Sequence, residues 1–193
     1  MERAAQSRRR EAIIPLLKDA EPEVRLAASR ALELLETAQS LDEVLASLKN
    51  GDRGTKIGAI FALGRIGGDK ALRALVYCAG RPEEDIRCAA VKVLGELARP
   101  ETLDLLVGKL ADPSTAVRAL AIEAVANYRK PELVPKLLPF LTQDDGLLDA
   151  EAALALARLG DASLEQRFVK LLSSRHQKTR SAAATALSLL PLS

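Results

Sequence analysis

One segment recurs every 31 residues without insertion or deletion. Val24-Arg25-Leu26-Ala27-Ala28-Ser29-Arg30-Ala31-Leu32 returns as Thr55-Lys56-Ile57-Gly58-Ala59-Ile60-Phe61-Ala62-Leu63, and later copies start at Ile86, Val117, Leu148 and Thr179. Across the six copies one column reads Ala28, Ala59, Ala90, Ala121, Ala152, Ala183, and another Leu32, Leu63, Leu94, Val125, Leu156, Leu187. A third runs Leu35, Ile66, Leu97, Tyr128, Leu159, Leu190. A constant period of this length is the mark of a stacked array of small units, none of which buries its own apolar face alone.

Each period holds two amphipathic helices. In the second, positions 24, 28, 31, 32 and 35 form one stripe at helical spacing. The first has its own stripe, as in Ile13, Ile14 and Leu17, Val44, Leu45 and Leu48, Leu106, Val107 and Leu110, and Leu137, Leu138 and Leu141. Asp112-Pro113, with Pro82 in the proline's column, reads as a capping side chain before a first-turn proline. Gly67-Gly68-Asp69 and Gly160-Asp161 read as helix stops. The pattern predicts first helices over 6–18, 39–49, 70–80, 101–111, 132–142 and 163–173. Second helices are predicted over 22–36, 53–66, 83–97, 114–128, 146–159 and 176–190. The expected architecture is an all-α right-handed superhelix, a solenoid of six hairpins at 6–36, 37–67, 68–98, 99–129, 130–160 and 161–190. Residues 1–193 are expected to form a single domain.

Composition narrows the function classes. Apolar residues make up 48% and aromatic residues only 3%, which suits close-packed Ala-rich helices and offers little aromatic wall for a large conjugated ligand. Basic residues number 28 and acidic residues 26, a balance that provides no strong field for nucleic acid or membrane. Neither an apolar leader near Met1 nor an 18-residue apolar run is present, and two cysteines make no disulfide framework. A cytoplasmic location is expected.

Asp112-Pro113-Ser114-Thr115-Ala116-Val117-Arg118 resembles the opening of a HEAT repeat's second helix. Leu63-Gly64-Arg65-Ile66-Gly67-Gly68-Asp69-Lys70-Ala71 resembles the turn of the HEAT-like repeats named after phycobilisome lyases. The resemblance spans nearly the whole chain. It implies the solenoid fold and leaves activity open, since relatives include bilin lyase subunits, bacterial scaffold and regulatory proteins and some DNA-repair enzymes.

Catalytic candidates are few. His176 has no nucleophile or orienting acid at a recognisable spacing, and reads as a surface residue near a helix start. Cys78 and Cys88 read as small apolar side chains rather than a redox pair. Asp144-Asp145-Gly146 has too few oxygen ligands for a calcium loop. No catalytic residue, metal or cofactor is expected. The basic column Arg25, Lys56, Arg87, Arg118, Arg180 reads as a structural ladder to acids such as Asp19 and Asp112, the arrangement HEAT-like repeats generally use, with phosphate tracking as the alternative. Asp149 interrupts that column, and Arg81 stands where Asp19 and Asp112 do. Arg8-Arg9-Arg10 reads as a solvated face over the first layer.

The variable positions lie off the core stripe, at columns 30 and 34. Arg30, Phe61, Arg65, Lys92, Glu96, Glu123, Asn127, Leu154 and Arg158 are the candidate contact residues, a mixed-polarity ridge on the second helices that would line a concave groove. Aromatic, aliphatic and Arg anchors among charges suit a protein partner. The expected function is therefore a scaffold or interaction module that holds a partner's helix or loop. A bilin lyase or isomerase subunit and nucleic-acid binding through the basic ladder are the alternatives. The C-terminal stretch from Leu187 to Ser193 shows no polar capping helix, which is expected either of an end that stacks on another copy or of a fragment of a longer array.

Overall fold

The computed structural model describes residues 2–191, with side chains for residue 5 and residues 7–191. Met1, Leu192 and Ser193, and with the last two the tip of the proposed C-terminal association surface, lie outside the described residues. The described chain is all helical and belongs to the α-solenoid class. It divides into two compact units, residues 1–74 and 75–193.

In the first unit α1 (Glu2–Ile13) runs into a 3-10 turn, Ile14–Lys18, and Pro22 opens α2 (Pro22–Asn50) at its first turn. Asp52 caps α3 (Arg53–Ile66), accepting the Thr55 N–H at 2.7 Å. Most of α4 (Gly68–Ala79) completes the unit. The second unit carries α5 (Glu84–Leu97), α6 (Leu103–Gly108), α7 (Thr115–Ala126) and the single turn α8 (Val134–Leu137). It continues with α9 (Leu148–Leu159), α10 (Glu165–Leu171) and α11 (Gln177–Leu189). Here the second helices α5, α7, α9 and α11 pack side by side in chain order. The first helices α6 and α8 are short and flanked by 3-10 turns, where Pro100, Pro131, Pro135 and Pro139 remove backbone donors, and the short α10 follows a single 3-10 turn, Ala162–Leu164.

The predicted break between repeats one and two is absent. Helices foreseen over 22–36 and 39–49 are one continuous helix, α2, about 44 Å long. The reason lies in one column. Gly67, Ala98, Arg129 and Gly160 all have positive φ, of 69°, 45°, 52° and 73°; Gly67, Ala98 and Gly160 are the C-caps of α3, α5 and α9, and Arg129 turns the chain two residues past the Asn127 cap of α7. The corresponding residue in repeat one is Glu36, followed by Thr37, Ala38 and Gln39, with no Gly or Pro to stop propagation. A second correction concerns α7. Asp112 does not cap it and Pro113 is not in its first turn. Ser114 is the cap, accepting the Val117 N–H at 3.3 Å, while Asp112 is engaged elsewhere.

Every member of the Ala28 column is buried, in all six repeats. Packing around that column differs. Gly95 comes so close to α7 that a Cβ built on it would lie 2.4 Å from the Ala124 Cβ, so only glycine permits this helix spacing. Its column reads Glu33, Gly64, Gly95, Ala126, Ala157, Ser188, and Gly95, Ala126 and Ala157 are buried whereas Glu33 and Ser188 are exposed. The Val91 column behaves likewise, with Val91, Ile122 and Ala153 buried and Ser29 and Ala184 exposed.

Candidate partner-binding ridge

The ridge positions follow from helix geometry. Columns 30 and 34 are one turn apart, so each second helix presents a pair of side chains on one side. In the second unit these pairs are Lys92 and Glu96 on α5, Glu123 and Asn127 on α7, and Leu154 and Arg158 on α9. Lys92, Glu96, Glu123 and Arg158 are exposed, and Asn127 and Leu154 half-buried. In the first unit Arg30 is exposed on α2, and α3 carries half-buried Phe61 and exposed Arg65.

These residues do different work. The Asn127 side-chain N–H donates to the Gly95 carbonyl oxygen at 3.1 Å, so its amide ties α7 to α5. Lys92, Glu96, Glu123 and Arg158 form no ion pair among the described residues, which leaves their charges available to a partner. Glu151, half-buried on α9, was missed by the column reading. Burial first, then the Glu123 charge, pushes its carboxyl above the ordinary glutamate range, with Arg158 and Lys178 opposing. Its column holds Ala27, Gly58, Ala89, Leu120 and Ala182 elsewhere, so an acid among small and apolar residues was the available signal. Glu123, Glu151, Arg158 and Lys178 thus form one electrostatic group across α7, α9 and α11. Leu34, in the Arg65 column, is 71% exposed and extends the ridge positions on α2.

The basic column has a common geometry. The Nη1 of Arg25 donates to the Asp19 and Ala20 carbonyl oxygens at 2.7 and 2.8 Å. That of Arg87 reaches the Arg81 and Pro82 oxygens at 3.0 and 2.6 Å, and that of Arg118 the Asp112 and Pro113 oxygens at 2.9 and 3.1 Å. Arg180 meets Ser174 and Arg175 at 2.8 and 3.1 Å. Each guanidinium therefore satisfies carbonyls of its own interhelical loop, a task the point charge of Lys56 does not reproduce.

Among the described residues, only Arg87 of this column also reaches an acid of the next repeat. Its Nε and Nη2 donate to the two Asp112 carboxylate oxygens, both at 3.0 Å, with side-chain exposures of 11% and 3%. Burial pushes the Asp112 carboxyl up, but Arg87, the Ser114 N–H and Lys109 outweigh it and hold it below the usual aspartate range. Asp19 accepts only the Glu21 N–H on its side chain among the described residues. Asp149 is buried and accepts the Ala150 N–H at 2.8 Å, and its loop is held instead by Asp145, which accepts the Leu147 and Leu148 N–H groups at 2.9 and 2.8 Å.

The reactive side chains are engaged structurally. The His176 Nε2 lies 2.9 Å from the Asp144 carbonyl oxygen, and Arg175 pairs with the Asp144 carboxylate at 3.2 Å, so both fasten the loop of repeat six to that of repeat five. Burial raises the thiols of Cys78 and Cys88 above their ordinary range, opposite to what a nucleophilic thiolate needs. The Arg8-Arg9-Arg10 run is exposed, and Arg10 pairs with Glu36 at 3.0 Å. Among the described residues no helix is long and apolar enough to cross a membrane.

Stacked helical hairpins around an alanine seam, with loops tied by arginine, define an α-helical repeat protein with a scaffold-type solenoid fold. The family model of HEAT repeats matches residues 10–87 and 74–149, and the chain belongs to that family. Solved structures agree on the fold. The Escherichia coli protein YibA superposes with a TM-score of 0.63 at 18% identity, over 97% of this chain and 74% of that one. The complex of CpcE and CpcF of phycocyanin lyase from Nostoc gives 0.53 at 22% identity, over 92% and 75%. A designed armadillo repeat protein gives 0.51 at 20% identity, over 93% and 99%. No curated protein sequence matches the chain.

Proposed function

We propose that this chain is a protein-interaction module whose second helices hold a helix or loop of another protein. The observation that supports this reading is the contrast between neighbouring columns. The Ala28 column is buried in every repeat, while the columns beside it vary in charge and size and stay largely in solvent. A wall serving only as structure needs no such mixture. Glu123 and Arg158 supply opposite charges at the centre of the ridge in the second unit, with half-buried Leu154 as an apolar anchor. Phe61, flanked on its own helix by Arg65, supplies an equivalent anchor in the first unit, alongside Arg30 of α2. Two reduced thiols fit a cytoplasmic setting.

The test is affinity purification with the whole chain, identification of the partner, and titration of that partner against variants. Glu123→Lys with Arg158→Glu is expected to weaken binding at least tenfold, and Tyr77→Ala, exposed on a first helix, to leave it unchanged. Equal affinities for all three proteins would refute the ridge. Bilin lyase activity rests on fold likeness to the CpcE–CpcF complex alone, and co-expression with a bilin and an acceptor protein tests it by absorbance. Nucleic-acid binding through the basic column is the other alternative: Arg25, Arg87, Arg118 and Arg180 each give Nη1 to loop carbonyls, and titration with duplex DNA at low and then rising salt tests it.

A further inference from the structure

Two neighbouring helices of the second unit carry the same pair of side chains in opposite order. α7 has Leu120 then Glu123, and α9 has, in the same two columns, Glu151 then Leu154. Three residues separate the columns, so each pair lies on one face of its helix, and α7 packs directly on α9. The result is a patch with a carboxylate at two diagonal corners and a leucine at the other two. Leu120, Glu151 and Leu154 are half-buried and Glu123 is exposed. Leu147, also half-buried, stands one turn before Glu151 and extends the apolar part. The helices on either side lack the pattern, with Ala89 and Lys92 on α5 and Ala182 and Thr185 on α11.

The patch is short of positive charge. Neither glutamate forms a hydrogen bond or an ion pair among the described residues, and Arg158 and Lys178 act on Glu151 only from beyond ion-pair distance. Burial and the Glu123 charge outweigh them and hold the Glu151 carboxyl above its ordinary range, so this group gains from a further cation. The leucines decide which cation. A metal ion needs a shell of oxygen ligands that leucine does not supply. A lysine or arginine side chain needs both components, an apolar surface for its stem and carboxylates for its head.

We infer that the α7–α9 patch receives one lysine or arginine side chain of a partner protein, its stem across Leu120 and Leu154 and its head donating to Glu123 and Glu151. This deepens the interaction-module reading and rests on it. An apolar residue beside the basic one covers Leu147. Arg158 lies seven residues from Glu151 on the same face, about 10 Å along α9, and so repels a second cation there and attracts an acid. The partner segment is therefore basic and apolar at one point and acidic about 10 Å away.

A random peptide library displayed on phage and selected on the whole chain tests this. Recovered peptides whose affinity falls at least tenfold on the protein carrying Glu123→Lys with Arg158→Glu are ridge binders. Each is expected to contain a lysine or arginine beside apolar residues. Replacing that residue by norleucine, which keeps the stem and removes the charge, is expected to weaken binding to the wild type at least tenfold. Glu151→Gln is expected to weaken the basic peptide by a similar factor and to leave the norleucine peptide unchanged, since the two losses are one interaction. Ridge binders without a basic residue, or with equal affinity for wild type and Glu151→Gln, would overturn this inference and leave the interaction module standing. A library that yields no ridge binder would overturn both.

Discussion

Repeat one and repeat four are built from the same columns and pack differently. In repeat four, Val117, Ala121, Ile122, Ala124 and Val125 are all buried on α7, between α5 and α9. A Val or Ile buried in this way contributes about 1.5–3 kcal/mol. In repeat one the equivalent stretch of α2 buries Ala28 and leaves Leu26 and Leu34 at 53% and 71% exposure. The difference comes from two positions. Glu36 lacks the left-handed turn that folds the next helix back, and Glu33 fills the column where repeat three needs glycine. Stacking thus depends as much on where the chain has no side chain as on where it has an apolar one.

The comparison breaks most sharply by exchanging the residues. Gly95→Glu is expected to cost more than about 4 kcal/mol, because a charged side chain is driven into Ala124, whereas Glu33→Gly is expected to cost no more than about 1 kcal/mol. Urea unfolding of both variants measures the gap, and similar costs would show that the two repeats pack alike. Asp112→Asn is expected to cost about 3 kcal/mol at neutral pH by stranding Arg87. The carboxyl sits below its ordinary range in the folded chain, so its contribution is present above the unfolded value and lost as pH falls through the folded one. The difference between variant and wild type should therefore shrink on acidification.

Glu33→Ala with Glu36→Gly is expected to turn α2 into two helices. Spin labels at Ser29 and Asp42, in a chain with Cys78 and Cys88 replaced by serine, stand about 20 Å apart on a straight helix and should come closer when the turn forms. An unchanged distance would mean that other contacts hold α2 straight. The smallest effect belongs to Glu151→Gln. The wild-type carboxyl lies above its ordinary range, so the folded protein keeps its proton longer and loses stability as pH rises through that window. Thermal melts should show the variant gaining no more than about 0.5 kcal/mol at neutral pH and nothing in acid.

The helical class, the period and the buried alanine seam were legible because they repeat, and repetition separates positions under packing constraint from those that are free. The proposed ridge is read from the columns that vary, and its members' exposure, but not their role, is what the structure adds. The turn column was half legible. Gly67 and Gly160 announce left-handed backbone, but Ala98 and Arg129 adopt it without any such signal. Glu151 was hidden because its environment is made by Glu123, Arg158 and Lys178, two of them on other helices.

Residue periodicity alone determined that this chain forms helical hairpins around an alanine seam, since amphipathic spacing and side-chain volume are local properties. Tertiary structure decided how closely the hairpins stack and that each column arginine grips its own loop. Arg25, Arg87, Arg118 and Arg180 share one column, and among the described residues only Arg87 meets a carboxylate: Asp112 stands 25 residues on, where Arg25 and Arg118 find Asn50 and Gln143, and helix packing brings that aspartate within 3.0 Å.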